Sequence, residues 1–266
     1  MAKQSGIHQL NGKVRGMSYY RQKGVNEGLA RSINQGLSKR VKEGEEYANT
    51  RLNAAEFGSA GAFAGACVRA IRDRQRSMMM DFATGMLAKD IKKIIVLDTE
   101  NPWGERQLVG IAWQNLVIDK LNTFAKLAFD SYVGGAFDTA VTDGDGAKIF
   151  TPNAELPAGW GELYKAKGAT GAIVEMYAYL AAMSGDGEGA KLSESSSVLI
   201  GEADIALGEA GTITEPATVD AMFTGVQASN TLQGVLVIVK PYQEVNGVKY
   251  TRQELCTYKI VEPTVG

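Results

Sequence analysis

One histidine, His8, and two cysteines, Cys67 and Cys256, are all that this 266-residue sequence offers toward imidazole or thiol chemistry. A lone imidazole near the N-terminus leaves too few ligands for a tetrahedral zinc site and would force any Ser-His-Asp relay to draw on a terminal segment. The cysteines lie far apart in apolar surroundings, which suits reduced core thiols rather than a disulfide framework. The Gly-x-Ser-x-Gly elbow is missing, as are the Walker phosphate loop and a Gly-x-Gly-x-x-Gly turn between a strand and a helix. No catalytic, cofactor-binding or metal-ligating residue is therefore nominated. Apolar runs of about 18 residues, the length of a membrane span, are absent too. So is the charged, apolar and small-residue order of a signal peptide, and the expectation is a soluble chain made in the cytosol with no membrane partner.

What is present is a core and a charge gradient. Hydrophobic residues make up 45% of the chain, enough to exclude disorder throughout. The net charge of −2 conceals opposed ends, because residues 1–80 hold 14 Lys and Arg against 6 Asp and Glu, whereas residues 130–266 hold 8 against 18. A basic segment binds phosphates, but an acidic region on a second copy of the same chain is an equally good counterpart.

The gradient is steepest in residues 1–42, read as a basic arm punctuated by Gly6, Gly12, Gly16, Gly24, Gly28 and Gly36. Between the glycines, Lys13 to Arg21 is β-prone, and Gln22-Lys23-Gly24-Val25 turns it back toward Leu29 to Ile33 as a hairpin. A two-stranded ribbon is marginal alone in water and needs a surface to lie on. Lys13, Arg15, Tyr19, Tyr20, Arg21, Lys23 and Arg31 interleave cations with aromatics there and are the candidate contact residues. They fit either a neighbouring subunit or a phosphate backbone with stacked bases.

Residues 43–130 read as a helical segment. Helix formers from Glu45 to Phe57 run on through the small residues of Gly58 to Ile71. That stretch has a spacing familiar from membrane helices, but Arg69, Arg72, Arg74 and Arg76 close it and argue for a soluble buried helix. A second helical pattern covers 77–97, with Ser77 as N-cap, and a third is compatible with 105–129, where Val109 and Leu116-Val117-Ile118 also permit a strand at the start. From 131 onward turn signals separate β-rich runs at 172–183, 195–201, 232–239 and 248–261. Asn246-Gly247 suits a type I′ turn, after which Tyr250, Arg252, Glu254, Cys256, Tyr258 and Ile260 alternate as one face of a final strand. Pro241 places an edge or a bulge in the strand before it. The predicted fold class is α+β: an extended basic N-terminal arm and hairpin (1–42), a central helical segment (43–130) and a C-terminal antiparallel β-sandwich-like domain (131–266).

Carboxylates supply no site. Asp143-Gly144-Asp145-Gly146 lacks the third acid and terminal Glu of a calcium loop and reads as a solvated turn. Asp186 with Glu188, and Glu202 with Asp204, sit in turns or alternate along a strand, and nothing sets them across a pocket.

The order Gly12-Lys13-Val14-Arg15-Gly16-Met17-Ser18-Tyr19-Tyr20-Arg21-Gln22-Lys23-Gly24, then Arg31, then Asn49 to Gly58, resembles the N-terminal signature of uncharacterised proteins encoded by phages and prophages of Bacteroidota. The resemblance covers about a fifth of the chain and carries over no catalytic residue. It implies a virion component, whether capsid, connector or tail, made in the host cytoplasm. Its partners would be copies of itself and other virion proteins. Nucleic acid is the alternative partner, disfavoured by a sequence pI of 5.7, and an enzyme with a pocket between the helical and β-rich parts is the least favoured reading.

Overall fold

Short polar runs broken by glycine support only short strands, and the first 32 residues make four. The computed structural model describes residues 2–4, 11–14, 16–20, 28–32, 36–108, 113–143, 147–183, 193–213, 217–220, 231–262 and 264–265. The chain forms two compact units, Met1–Ala54 and Ala55–Gly266.

In the first unit, β1 (Ala2–Gln4), β2 (Gly12–Val14), β3 (Met17–Tyr20) and β4 (Gly28–Ser32) form an antiparallel sheet in the order β1-β4-β3-β2. Tyr20 pairs with Leu29 and Met17 with Ser32, as the hairpin reading expects. The continuous strand expected over 13–21 is corrected. The chain reverses between Val14 and Met17 through Gly16, whose φ of 81° suits a tight hairpin, so the two-stranded ribbon becomes a four-stranded sheet. A seven-residue helix, α1 (Leu37–Glu43), follows with no buried residue. The Arg51 guanidinium donates to the Val41 and Gly44 carbonyls at 2.9 and 2.7 Å and caps that end.

The chain enters the second unit along α2 (Ala48–Arg72). It buries Glu56, Ser59, Ala60, Phe63, Ala64, Cys67, Val68 and Ile71, the three- and four-residue spacing of one helix face. The helix expected over 77–97 is α3 (Ala83–Ile95). It starts late because Met78 to Met80 exchange backbone hydrogen bonds with Phe124 and Lys126, and Met79 bridges Ala125. The third expected helix contracts to α4 (Trp113–Asn122), and α5 (Phe129–Tyr132) is a single turn.

The strands are β5 (Ala136–Asp143), β6 (Ala147–Leu156), β7 (Gly171–Met183), β8 (Ser193–Ala206), β9 (Gly211–Ile213), β10 (Ala217–Asp220), β11 (Thr231–Val245), β12 (Val248–Thr251), β13 (Thr257–Val261) and β14 (Thr264–Val265). One further turn of helix, α6 (Glu162–Lys165), lies between β6 and β7. One sheet runs β10-β6-β5-β14 with β9 also on β6, and the other runs β12-β11-β7-β8 with β13 also on β11. Val141, Phe150, Ala154 and Ile213 of the first share a core with Val174, Met176, Val235, Val237 and Val239 of the second. The opposite face of the second sheet, with Tyr177, Tyr179, Leu236, Ile238, Tyr258 and Ile260, shares a core with α2, α3 and α4.

The α+β class holds, and its layers are helix, sheet, sheet. The middle sheet is buried on both faces, which is why β7 and β11 read as nearly unbroken apolar runs. The helical and β-rich regions therefore share one core across residue 130.

Asn246 and Gly247, at φ 54° and 77°, make the expected left-handed turn. The single strand expected over 248–261 is corrected to β12 and β13, separated by a 3-10 turn at Gln253–Leu255. Both pair with β11, Thr251 opposite Tyr242 and Thr257 opposite Val239. The break falls beside Pro241, which has no N–H to give and whose carbonyl accepts from Arg252 N at 2.8 Å. The expected face is thereby split: Tyr250 and Glu254 are exposed, while Cys256, Tyr258 and Ile260 are buried. Residues 144–146, central to the carboxylate turn weighed above, and 186 and 188 lie outside the described residues.

Candidate functional site

Four of the seven candidate contact residues fall on the described strands. Lys13 on β2 and Arg31 on β4 are exposed, and Tyr19 and Tyr20 on β3 are half-buried. Arg15, Arg21 and Lys23 lie outside the described residues. Register fixes the faces. Lys13 pairs with Ser18, and Ser18 with Arg31, so both cations share one face, two strand spacings or about 10 Å apart. Tyr20 is on that face as well, and the Arg31 guanidinium lies 5.6 Å from its ring centroid. Tyr19, one residue earlier, points to the other side.

The face holding Lys13, Tyr20 and Arg31 offers two cations and an aromatic plane on a sheet of three- to five-residue strands. Among the residues of this unit whose burial is described, only Gly28, Leu29 and Ala30 are buried. Chemically the face can bind anions and stack on planar groups.

In the second unit several carboxylates are held in ion pairs and hydrogen bonds. Burial alone would raise the Glu56 carboxyl, but the Lys92 ammonium, the Gly104 N–H at 2.9 Å and the Arg106 guanidinium outweigh it and hold it below its ordinary range. Asp98 is held down in the same way against its burial, by N–H groups of Gln107, Glu100 and Asn101 and by the Asn101 amide. Glu175 accepts from Tyr177 Oη at 2.8 Å and from Lys240 Nζ at 2.6 Å, and Arg74 lies 4.5 Å over the Tyr177 ring while bonding Ser197. Asp204 pairs with Tyr242 and Lys249. Burial pushes the Cys67 thiol up to about 12 and raises Cys256 as well. Among the described residues no group of three or more His, Cys, Asp and Glu is placed to hold a metal ion, and no helix is long and apolar enough to cross a membrane.

No protein-family model and no curated protein matches this chain. Among solved structures it is similar to Spo0M, a sporulation control protein from Bacillus subtilis, at 11% identity and a TM-score of 0.27. That alignment covers 49% of each chain, so the chain spans about half the length of that structure. A likeness so shallow assigns neither fold nor chemistry.

Sequence reasoning missed the Glu56, Asp98 and Glu175 clusters. Glu56 carried a signal, since it stands three, four and seven residues before Ser59, Ala60 and Phe63 on the buried face of α2. Glu175 carried another, as an acid inside the apolar run of β7.

Proposed function

We propose that the chain is a non-enzymatic structural subunit of a phage particle, assembling through its basic N-terminal unit onto copies of itself and other virion proteins. The observation that carries this reading is a unit with ten Lys and Arg against four Glu over residues 1–54 whose described residues bury only Gly28, Leu29 and Ala30. Short strands that show so few buried side chains among the described residues gain most from being covered. The acidic residues 130–266 supply a surface of the right sign on another copy. The resemblance of residues 12–58 to phage and prophage proteins gives the setting, a virion made in the host cytoplasm. Mass spectrometry of purified particles tests it: the chain is expected in stoichiometric amounts, and trace amounts would argue for an enzyme or a packaging factor instead.

A nucleic-acid-binding packaging role is the second reading, favoured by the Lys13, Tyr20 and Arg31 face alone. It predicts polynucleotide binding that weakens steeply with salt and with alanine at Lys13 and Arg31. Salt-insensitive or absent binding removes it.

A further inference from the structure

The described arginines divide into two groups. Arg40, Arg106 and Arg252 pair with glutamates, Arg51 and Arg72 with backbone carbonyls, Arg74 with Ser197, and Arg31 with the Tyr20 ring. Arg69 and Arg76 alone among them have no hydrogen-bond, ion-pair or ring partner. Both line one cleft of about 250 Å³ at the C-terminal end of α2, together with Gly65, Arg72, Asp73 and Thr84.

Arg72 is fixed there, its guanidinium donating to the Met80 and Asp81 carbonyls at 2.7 and 2.8 Å. Asp73 offsets one of the three positive charges and leaves the cleft with an excess of two. The negative end of the α2 dipole accounts for Arg69 and Arg72 in its last turn. It does not account for Arg76, which lies beyond the helix on the 3-10 turn Arg76–Met78. Arginines without a counter-ion lining one concavity suit an oxyanion, which a guanidinium can hold through two N–H groups. The approach is open as well. A Cβ built on Gly58, Gly61 or Gly65 would meet nothing within 4 Å, so a second chain can come close along this side of α2.

We infer that this cleft is a socket for a glutamate or aspartate side chain of a second copy of this chain, which rests on the assembly reading above and adds a contact outside the N-terminal unit. Charge complementarity selects that occupant. Glu155, Glu162, Glu202, Glu209 and Glu244 are exposed on the β-rich region and form no ion pair or side-chain hydrogen bond, and a pI of 5.7 disfavours a polynucleotide.

The test uses the full chain. Sedimentation velocity against concentration is expected to show wild-type assembly, at least a tenfold higher half-assembly concentration for Arg69→Glu/Arg76→Glu, and little change for Lys89→Glu/Lys126→Glu, an equal change of charge elsewhere on the surface. Because the first variant reverses two charges on a helix end, Arg69→Lys/Arg76→Lys provides a second measurement. Carbodiimide coupling should give intermolecular cross-links from the substituted positions to acidic residues of 130–266. Wild-type assembly with no cross-links and an unchanged half-assembly concentration overturns the socket and leaves the assembly reading standing. A wild-type chain that stays monomeric overturns both. Binding of a 30-nucleotide single strand that is lost on Arg69→Glu/Arg76→Glu, with assembly intact, would reassign the cleft to phosphate.

Discussion

The fully buried Glu56 carboxylate accepts the Gly104 amide proton at 2.9 Å, joining α2 to a loop 48 residues further on, while its second oxygen holds Lys92 of α3. One acid thus fastens three segments. Replacing it with alanine leaves Lys92 and Arg106 without their counter-ion and Gly104 without its acceptor. Glu56→Ala is expected to cost about 3 kcal/mol, measured by chemical denaturation. A loss below about 0.5 kcal/mol would mean the cluster does not hold the loop.

Acid should expose the same cluster. The Glu56 and Asp98 carboxyls are both held below their ordinary values in the folded chain. The unfolded chain therefore binds more protons in the window beneath unfolded values of about 4.3 and 3.9. Their contribution is complete above that window and is lost as pH falls through the depressed folded values. The melting temperature should drop below about pH 4, and the drop should be smaller in Asp98→Asn.

Two buried tyrosines give opposite signs. Tyr258 Oη donates to the Leu121 carbonyl at 2.5 Å, so Tyr258→Phe should cost about 1 kcal/mol. Tyr164 Oη is buried without a hydrogen-bond partner, so Tyr164→Phe should be neutral or stabilising by up to about 1 kcal/mol. Thermal melts of the two variants decide whether the Tyr164 hydroxyl is a structural cost.

Both thiols should be silent in the native state. With Cys67 pushed up to about 12 and Cys256 raised by burial, native labelling with a maleimide at pH 7 should be slower by at least about a hundredfold than labelling in denaturant. Rapid native labelling of Cys67 would contradict the packing of α2 on β7.

Much of this fold was legible where pattern and packing coincide. The small-residue run of Gly58 to Ile71 continues α2, the apolar runs become β7 and β11, and Asn246-Gly247 makes its turn. The third layer was not legible, since an apolar run buried on both faces does not say what covers the second one. The late start of α3 depends on backbone bonds from Met78 and Met80 to Phe124 and Lys126, tertiary partners that no local window contains. At the candidate site, Tyr19 and Tyr20 read as a pair of anchors, yet strand pleat sends them to opposite faces and leaves Tyr20 with Lys13 and Arg31. The free arginines of the cleft were visible in sequence only as the basic close of a helix, because the carbonyls that occupy Arg72 and leave Arg69 and Arg76 unpaired come from the fold.

Assembly through the N-terminal unit is tested by light scattering on the full chain and on a chain lacking residues 1–42, at matched concentration and salt. The full chain is expected to form higher-order species, and the shortened chain, still folded by circular dichroism, is expected to stay dispersed. Equal assembly by the two would contradict it.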